Sequence, residues 1–286
     1  MISDITLGQF FPGYSPIHKL DPRTKIILAV LFIVSVFVAN NPASFAVLFA
    51  FTMILIAVSR ISFNVVFKGI KPIIFILLFT AIINLLMTGG EGEPLVSFWV
   101  IKIYTEGIAR AVFMALRVII LIIGTSLLLT YTTSPISLTD GLESLLSPLK
   151  KVGVPVHTFA MMMSIALRFI PTLVEETDKI MNAQKSRGAD FTSGSIVKRA
   201  KALVPLLIPL FVSAFKRAEE LATAMECRCY RGDYNRTKLV KLELRGRDYF
   251  FLLVFVLLLG LLITASILPY KLNLTGNVFA LLFYKI

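Results

Sequence analysis

Arginine at the end of a helix presents a planar, permanently charged fork that matches a carboxylate, and this sequence offers that group in two matched settings. Ser186-Arg187-Gly188 and Cys227-Arg228-Cys229 each follow an alanine placed one helical turn before the arginine, Ala183 and Ala224. At helical spacing each alanine shares a face with its arginine, and the C-terminal end of a helix dipole favours a cation there. The small neighbours Ser186, Gly188 and Cys227 leave such a tip slender enough to enter a groove on another protein. Either arginine alone would serve equally as a cap for its own helix, but the repetition favours a pair of docking tips.

Other chemistry is thinly represented. Cys227 and Cys229 are the only cysteines and His18 and His157 the only histidines, too few soft ligands for a structural zinc site. The two cysteines also lie too close together for an ordinary disulfide framework, so they read as free thiols. A membrane-embedded lipid-modifying enzyme would draw its acids from Asp140, Glu143, Glu175, Glu176 and Asp178. Glu175, Glu176 and Asp178 crowd onto one charged stretch, however, which reads as a solvated helix face. The sequence contains no Gly-x-x-x-x-Gly-Lys-Ser/Thr segment to cradle a triphosphate. The chain is therefore expected to bind no metal and no cofactor of its own.

The elements that must position the two arginines belong to a membrane protein. The chain has 286 residues, of which 57% are hydrophobic and 16% charged. With a mean hydropathy of +0.83, several segments are apolar enough to need lipid, and the expected fold is all-α and polytopic. The net charge of +12 is unevenly spread. Between Thr132 and Arg247 stand 18 Lys or Arg against 11 Asp or Glu, whereas Thr88 to Gly107 holds Glu91, Glu93 and Glu106 against Lys102 alone. Basic loops stay inside, so the basic region is expected in the cytoplasm. The absence of a long basic tract with interleaved aromatics argues against nucleic acid as the partner. The opening, with Asp4, Gly8 and Pro12, lacks the basic start and apolar core of a cleaved signal peptide, so the first apolar run is expected to remain.

Along the chain, Asp21-Pro22 supplies an N-cap followed by proline at the first helical position. Apolar runs follow at Ile26 to Ala39, Ala43 to Val58, Pro72 to Met87, Ile108 to Tyr131 and Tyr249 to Leu268. The first two, broken at Asn40-Asn41-Pro42, are shorter than the roughly 20 residues of an upright span and suggest a short helical hairpin. A last apolar piece, Val278 to Tyr284, is too short to cross. Arg110 and Arg117 stand inside the fourth run, where arginine must snorkel or face protein. Between the fourth and last runs, Ile136 to Leu149 is amphipathic. Two long helices follow, from about Val156 to Arg187 with Pro171 inside, and from near Ser195 to Arg228 with Pro205 and Pro209 inside. Proline removes a backbone donor, so both are expected to bend. Met161, Met162, Met163, Met181 and Met225 give this region an adaptable apolar surface. Three parts result: membrane helices over 1–131, a cytoplasmic two-helix region over 132–247, and a membrane helix with tail over 248–286.

The opening from Gly8 through Gln9, Phe10, Phe11, Pro12, Gly13, Tyr14, Ser15, Pro16, Ile17, His18, Lys19, Leu20, Asp21, Pro22, Arg23 and Thr24 to Lys25 resembles that of the transmembrane T component of energy-coupling factor (ECF) transporters, a type of ABC transporter. Ser186-Arg187-Gly188 and Cys227-Arg228-Cys229 resemble that family's two Ala-Arg-Gly signatures, the second with cysteine at both flanks. The similarity covers essentially the whole chain. It implies a non-catalytic coupling subunit of a vitamin or metal-ion importer in the cell membrane of a prokaryote. Two cytoplasmic ABC ATPase subunits, which hold the ATP and Mg, would take Arg187 and Arg228 in their grooves, and a small membrane S component would capture substrate. An autonomous channel or secondary transporter is the alternative, but it would ordinarily show two related halves, and these halves are dissimilar.

Overall fold

The computed structural model describes residues 10–87, 96–98, 101–189, 191, 195–232 and 242–267. Among them the expected all-helical architecture is present as α1 (Pro22–Val38), α2 (Pro42–Ser59), α3 (Phe63–Ile70), α4 (Ile74–Met87), α5 (Thr105–Thr125), α6 (Pro135–Leu146), α7 (Val156–Ser186), α8 (Ile196–Cys227) and α9 (Gly246–Ile267). One small addition is an antiparallel hairpin of three-residue strands, Val96–Phe98 and Ile101–Ile103, with Val96 opposite Ile103. Five helical segments are long and apolar enough to cross a membrane: Pro42–Ser59, Phe63–Leu85, Ala111–Tyr131, Val156–Ser186 and Gly246–Ala265. The third run thus begins earlier than Pro72, because α3 continues into α4 through a 3-10 turn at Lys71–Ile73. Of the five, Val156–Ser186 is the least apolar, with a mean hydropathy of 1.3 against 2.1 or more for the rest. The stretch from Val278 to Tyr284 lies outside the described residues.

Local chemistry sets the helix boundaries. Asp21 caps α1 by accepting from the Arg23 N–H at 2.9 Å, and Pro22 occupies the first turn. Pro42 opens α2 in the same way, so the chain must leave the helical region at the residue before it. Past α5 the helix widens into a π-helical turn, Ser126–Tyr131, and Thr132 donates back to the Leu128 carbonyl at 2.9 Å. A left-handed Gly153 closes the turn after α6.

By its contacts the chain divides into two compact units, one formed by 10–134 with 242–267 and the other by 135–232 among the described residues. The first has a core of Leu28, Phe32, Val36, Leu48, Leu127 and Phe255, all fully buried. The Phe32 and Phe51 rings meet Phe255 edge-on, joining α1 and α2 to α9. Gly124 on α5 has no room for a side chain, since a Cβ there would overlap the Phe32 ring. Arg117 faces protein as expected: its guanidinium donates to the Ala39 carbonyl at 2.9 Å and to the Asn40 side chain at 3.2 Å, over the Phe45 ring. It thereby satisfies the α1–α2 turn.

The opening segment forms a clasp on this unit. The Phe11 N–H donates to the Tyr131 carbonyl, and His18 links the Ser15 hydroxyl (Nδ1, 2.6 Å) to the Phe11 carbonyl (Nε2, 2.9 Å). Burial, and secondarily the charge of Lys25, hold the His18 pKa below its ordinary 6.5 against the opposing pull of the Phe11 carbonyl. That favours the neutral ring, and because a carbonyl can only accept, Nε2 is then the nitrogen that donates and Nδ1 the one that accepts from Ser15. Lys25, buried within α1, donates to the carbonyls of Thr132 (2.7 Å) and His18 (3.1 Å). Asp248 reaches back to the Arg245 N–H at 2.8 Å, half of a capping box for α9, and accepts from the Asp21 N–H at 2.8 Å. One buried carboxylate thus ties the start of α9 to the start of α1.

Candidate functional site

The second unit carries both arginine tips, and their backbones are built alike. At the end of α7, the Gly188 N–H donates to the Lys185 carbonyl (2.9 Å) and the Ala189 N–H to the Gln184 carbonyl (3.0 Å). At the end of α8, the Cys229 N–H donates to the Glu226 carbonyl (2.9 Å) and the Tyr230 N–H to the Met225 carbonyl (3.0 Å). Each is a complete Schellman pair, which satisfies carbonyls that the helix leaves without partners. Arg187 and Arg228 are therefore the C-cap residues of equivalent turns. The residue after each is left-handed, Gly188 at φ +87° and Cys229 at φ +54°. Glycine adopts that conformation freely, while a side chain there costs roughly 1–2 kcal/mol.

Ser186, Arg187, Gly188, Cys227, Arg228 and Cys229 are all exposed. The Ser186 hydroxyl is spent on the Asn182 carbonyl at 3.1 Å, so this serine serves its own helix, and both cysteines are free thiols. The second tip has an additional feature. Arg228 borders a crevice of about 570 Å³ between α7 and α8, floored by Met161, Ile165, Leu221 and Met225 and rimmed also by Arg168 and Arg231. The Tyr230 hydroxyl closes it with a 3.1 Å contact to the Met161 sulfur. Guanidinium groups around an apolar floor suit a carboxylate carried on an apolar segment.

Polar contacts join the helices of this unit. Glu176 on α7 pairs with Arg217 on α8 at 2.6 Å and accepts from the Ser213 hydroxyl at 2.9 Å. Glu143 on α6 meets His157 on α7 at 2.9 Å. Two of the acids that an enzyme would draw on, Glu143 and Glu176, are thus engaged in joining helices. Pro171 lies within α7 and Pro205 and Pro209 within α8, and both helices run on through them. Met162, Met163, Phe211 and Phe215 remain exposed on these helices.

Both helix ends are legible in the sequence, whereas the crevice and the clasp are not. Arg168 and Arg231 are distant from Arg228 along the chain or beyond the helix end, so only packing assembles them. Lys25 and Asp248 look like ordinary charges at the margins of apolar runs, and nothing local marks either as buried.

Comparison with known proteins agrees with this architecture. The family described as "Cobalt transport protein" (CbiQ) matches residues 13–239. The energy-coupling factor transporter transmembrane protein EcfT of Clostridium kluyveri is 55% identical over 249 residues, covering 87% of this chain and 92% of that protein. The protein of the same name from Bacillus subtilis is 52% identical over 262 residues, covering 92% and 98%. The EcfT of Ruminiclostridium cellulolyticum is 54% identical over 248 residues, covering 87% and 92%. With two capped arginine tips, span-length apolar helices and identity at this level over most of its length, the chain belongs to the EcfT family, the non-catalytic, multi-pass transmembrane components of energy-coupling factor transporters.

Proposed function

We propose that this chain transmits the motion of two cytoplasmic ABC ATPase subunits, docked on Arg187 and Arg228, to a small membrane S component that binds a vitamin or a metal ion. ATP and Mg belong to the ATPase subunits, and substrate choice belongs to the S component. The observation that carries this reading is the equivalence of the two tips: each sets an exposed arginine at the C-cap of a Schellman turn. Both guanidinium groups then project from rigid helix ends, favoured by the dipole and free to fork onto a carboxylate. The basic region carrying them faces the cytoplasm by the distribution of charge. There α7 and α8 lie along the membrane surface, with Met162, Met163, Phe211 and Phe215 offered to the S component and to lipid. Methionine repacks readily, which suits exchange among several S components.

Coupling follows from stiffness. When the ATPase dimer closes, its grooves draw the two tips together, and the Glu176–Arg217 tether makes α7 and α8 move as a pair. The S component resting on them is reoriented and releases substrate inward. Affinity capture from native membranes tests this, comparing wild type with the double variant Arg187→Glu/Arg228→Glu. Two ABC ATPases and a small membrane protein should accompany the wild type, and the ATPases should be lost from the variant. Recovery of the chain alone from both, with turnover or conductance of its own, would refute the reading.

A further inference from the structure

The unit formed by 10–134 and 242–267 contains a second crevice, of about 680 Å³, between α2 and α9. Its floor is Leu55 and Phe255, and the Phe51 ring stands edge-on to Phe255 at 5.0 Å. Ile54, Phe250 and Val254 form its open sides. The volume lies within the roughly 300–1,000 Å³ of small-molecule sites. The lining is apolar except for one cation, Arg247, which stands at the end where Val58 of α2 lies near Gly246 of α9.

That end is basic. Arg60, Arg245 and Arg247 are exposed there or directly adjoining in sequence, whereas Asp248, the acid in the first turn of α9, is buried and committed to the N–H groups of Asp21 and Arg245. Glu243 precedes this turn in the chain but does not line the crevice. An apolar slot on a membrane helix pair, with the exposed Arg247 among its lining residues and no acid there, matches an amphiphile with a negative head and a hydrocarbon tail. Arginine binds phosphate through two parallel hydrogen bonds, which a choline head would hinder by its own positive charge. We propose that the α2–α9 crevice binds one anionic phospholipid, with an acyl chain along Phe51, Phe250 and Val254 and its phosphate on Arg247. This site is independent of the docking role of Arg187 and Arg228.

The full chain, purified with its partner subunits and washed in detergent, should retain about one phosphatidylglycerol per chain when loaded from mixed phosphatidylglycerol and phosphatidylcholine vesicles. By mass spectrometry of the retained lipid, preference over phosphatidylcholine should be at least fivefold. Arg247→Gln should remove the preference, and Val254→Trp, which fills the slot, should remove retention, with neither variant losing co-purified ATPases. A photo-crosslinking residue at Ile54 should add the mass of a phospholipid. Equal retention of both lipids, retention unchanged by both variants, or a crosslink from Ile54 to a protein subunit would overturn the proposal.

Discussion

Arg187 and Arg228 occupy the same position in the same turn, yet one turn is closed by glycine and the other by cysteine. Cys229 holds a left-handed backbone that Gly188 adopts without strain, so Cys229→Gly should stabilise its tip by about 1 kcal/mol and Gly188→Ala should destabilise the other by a similar amount. Hydrogen exchange at the amides of Gly188, Ala189, Cys229 and Tyr230 reports both changes; equal exchange in all variants would speak against the turn geometry. The guanidinium fork, rather than charge alone, is what docks in the proposed mechanism. Arg187→Lys should therefore lose about 1.5–3 kcal/mol of affinity for the ATPase at that tip, or at least tenfold, measurable by titration with purified ATPase. At this scale the sequence was informative where a residue type is tied to a conformation. Gly188 announces a helix end, whereas Cys229, matched to it by its place in the second tripeptide, carries no such signal, and its left-handed conformation emerges only from the backbone.

Helix boundaries were readable wherever a cap or a proline sets them, as at Asp21-Pro22, Pro42 and Gly188. They were less so where the chain stays helical through a change of geometry. The eight-residue α3, with Lys68 in its last turn and Lys71 just beyond, is too short an amphipathic pattern to stand out before Pro72, and the π-helical turn after α5 has no composition of its own. The short hairpin at 96–103 was hidden in what reads as an acidic loop. Close approach of helices was equally hidden. Gly124 sits against Phe32, so Gly124→Val should overpack the α1–α5 contact and cost about 1–3 kcal/mol, seen as a lower Tm in detergent. An unchanged Tm would mean that α1 and α5 do not approach as described.

At the scale of the whole chain, the opening segment works as a clasp on α1 and on the end of the π-helical turn, with neutral His18 at its centre. Because burial depresses the His18 pKa in the fold, its contribution is present in full above the ordinary value of 6.5 and is lost as pH falls towards the folded value. Hydrogen exchange across residues 10–20 should thus quicken between pH 7.5 and 5.5 beyond the intrinsic pH effect, and His18→Gln should remove that difference; persistence of the difference in His18→Gln would assign it elsewhere. The central claim concerns the other unit, where two like tips imply two like partners. Native mass spectrometry of the complex tests it most directly, counting ATPase subunits per chain in wild type, Arg187→Glu, Arg228→Glu and the double variant. The account predicts two, one, one and none, with α7 and α8 protected from exchange in every case. Two ATPase subunits retained by the double variant would contradict it.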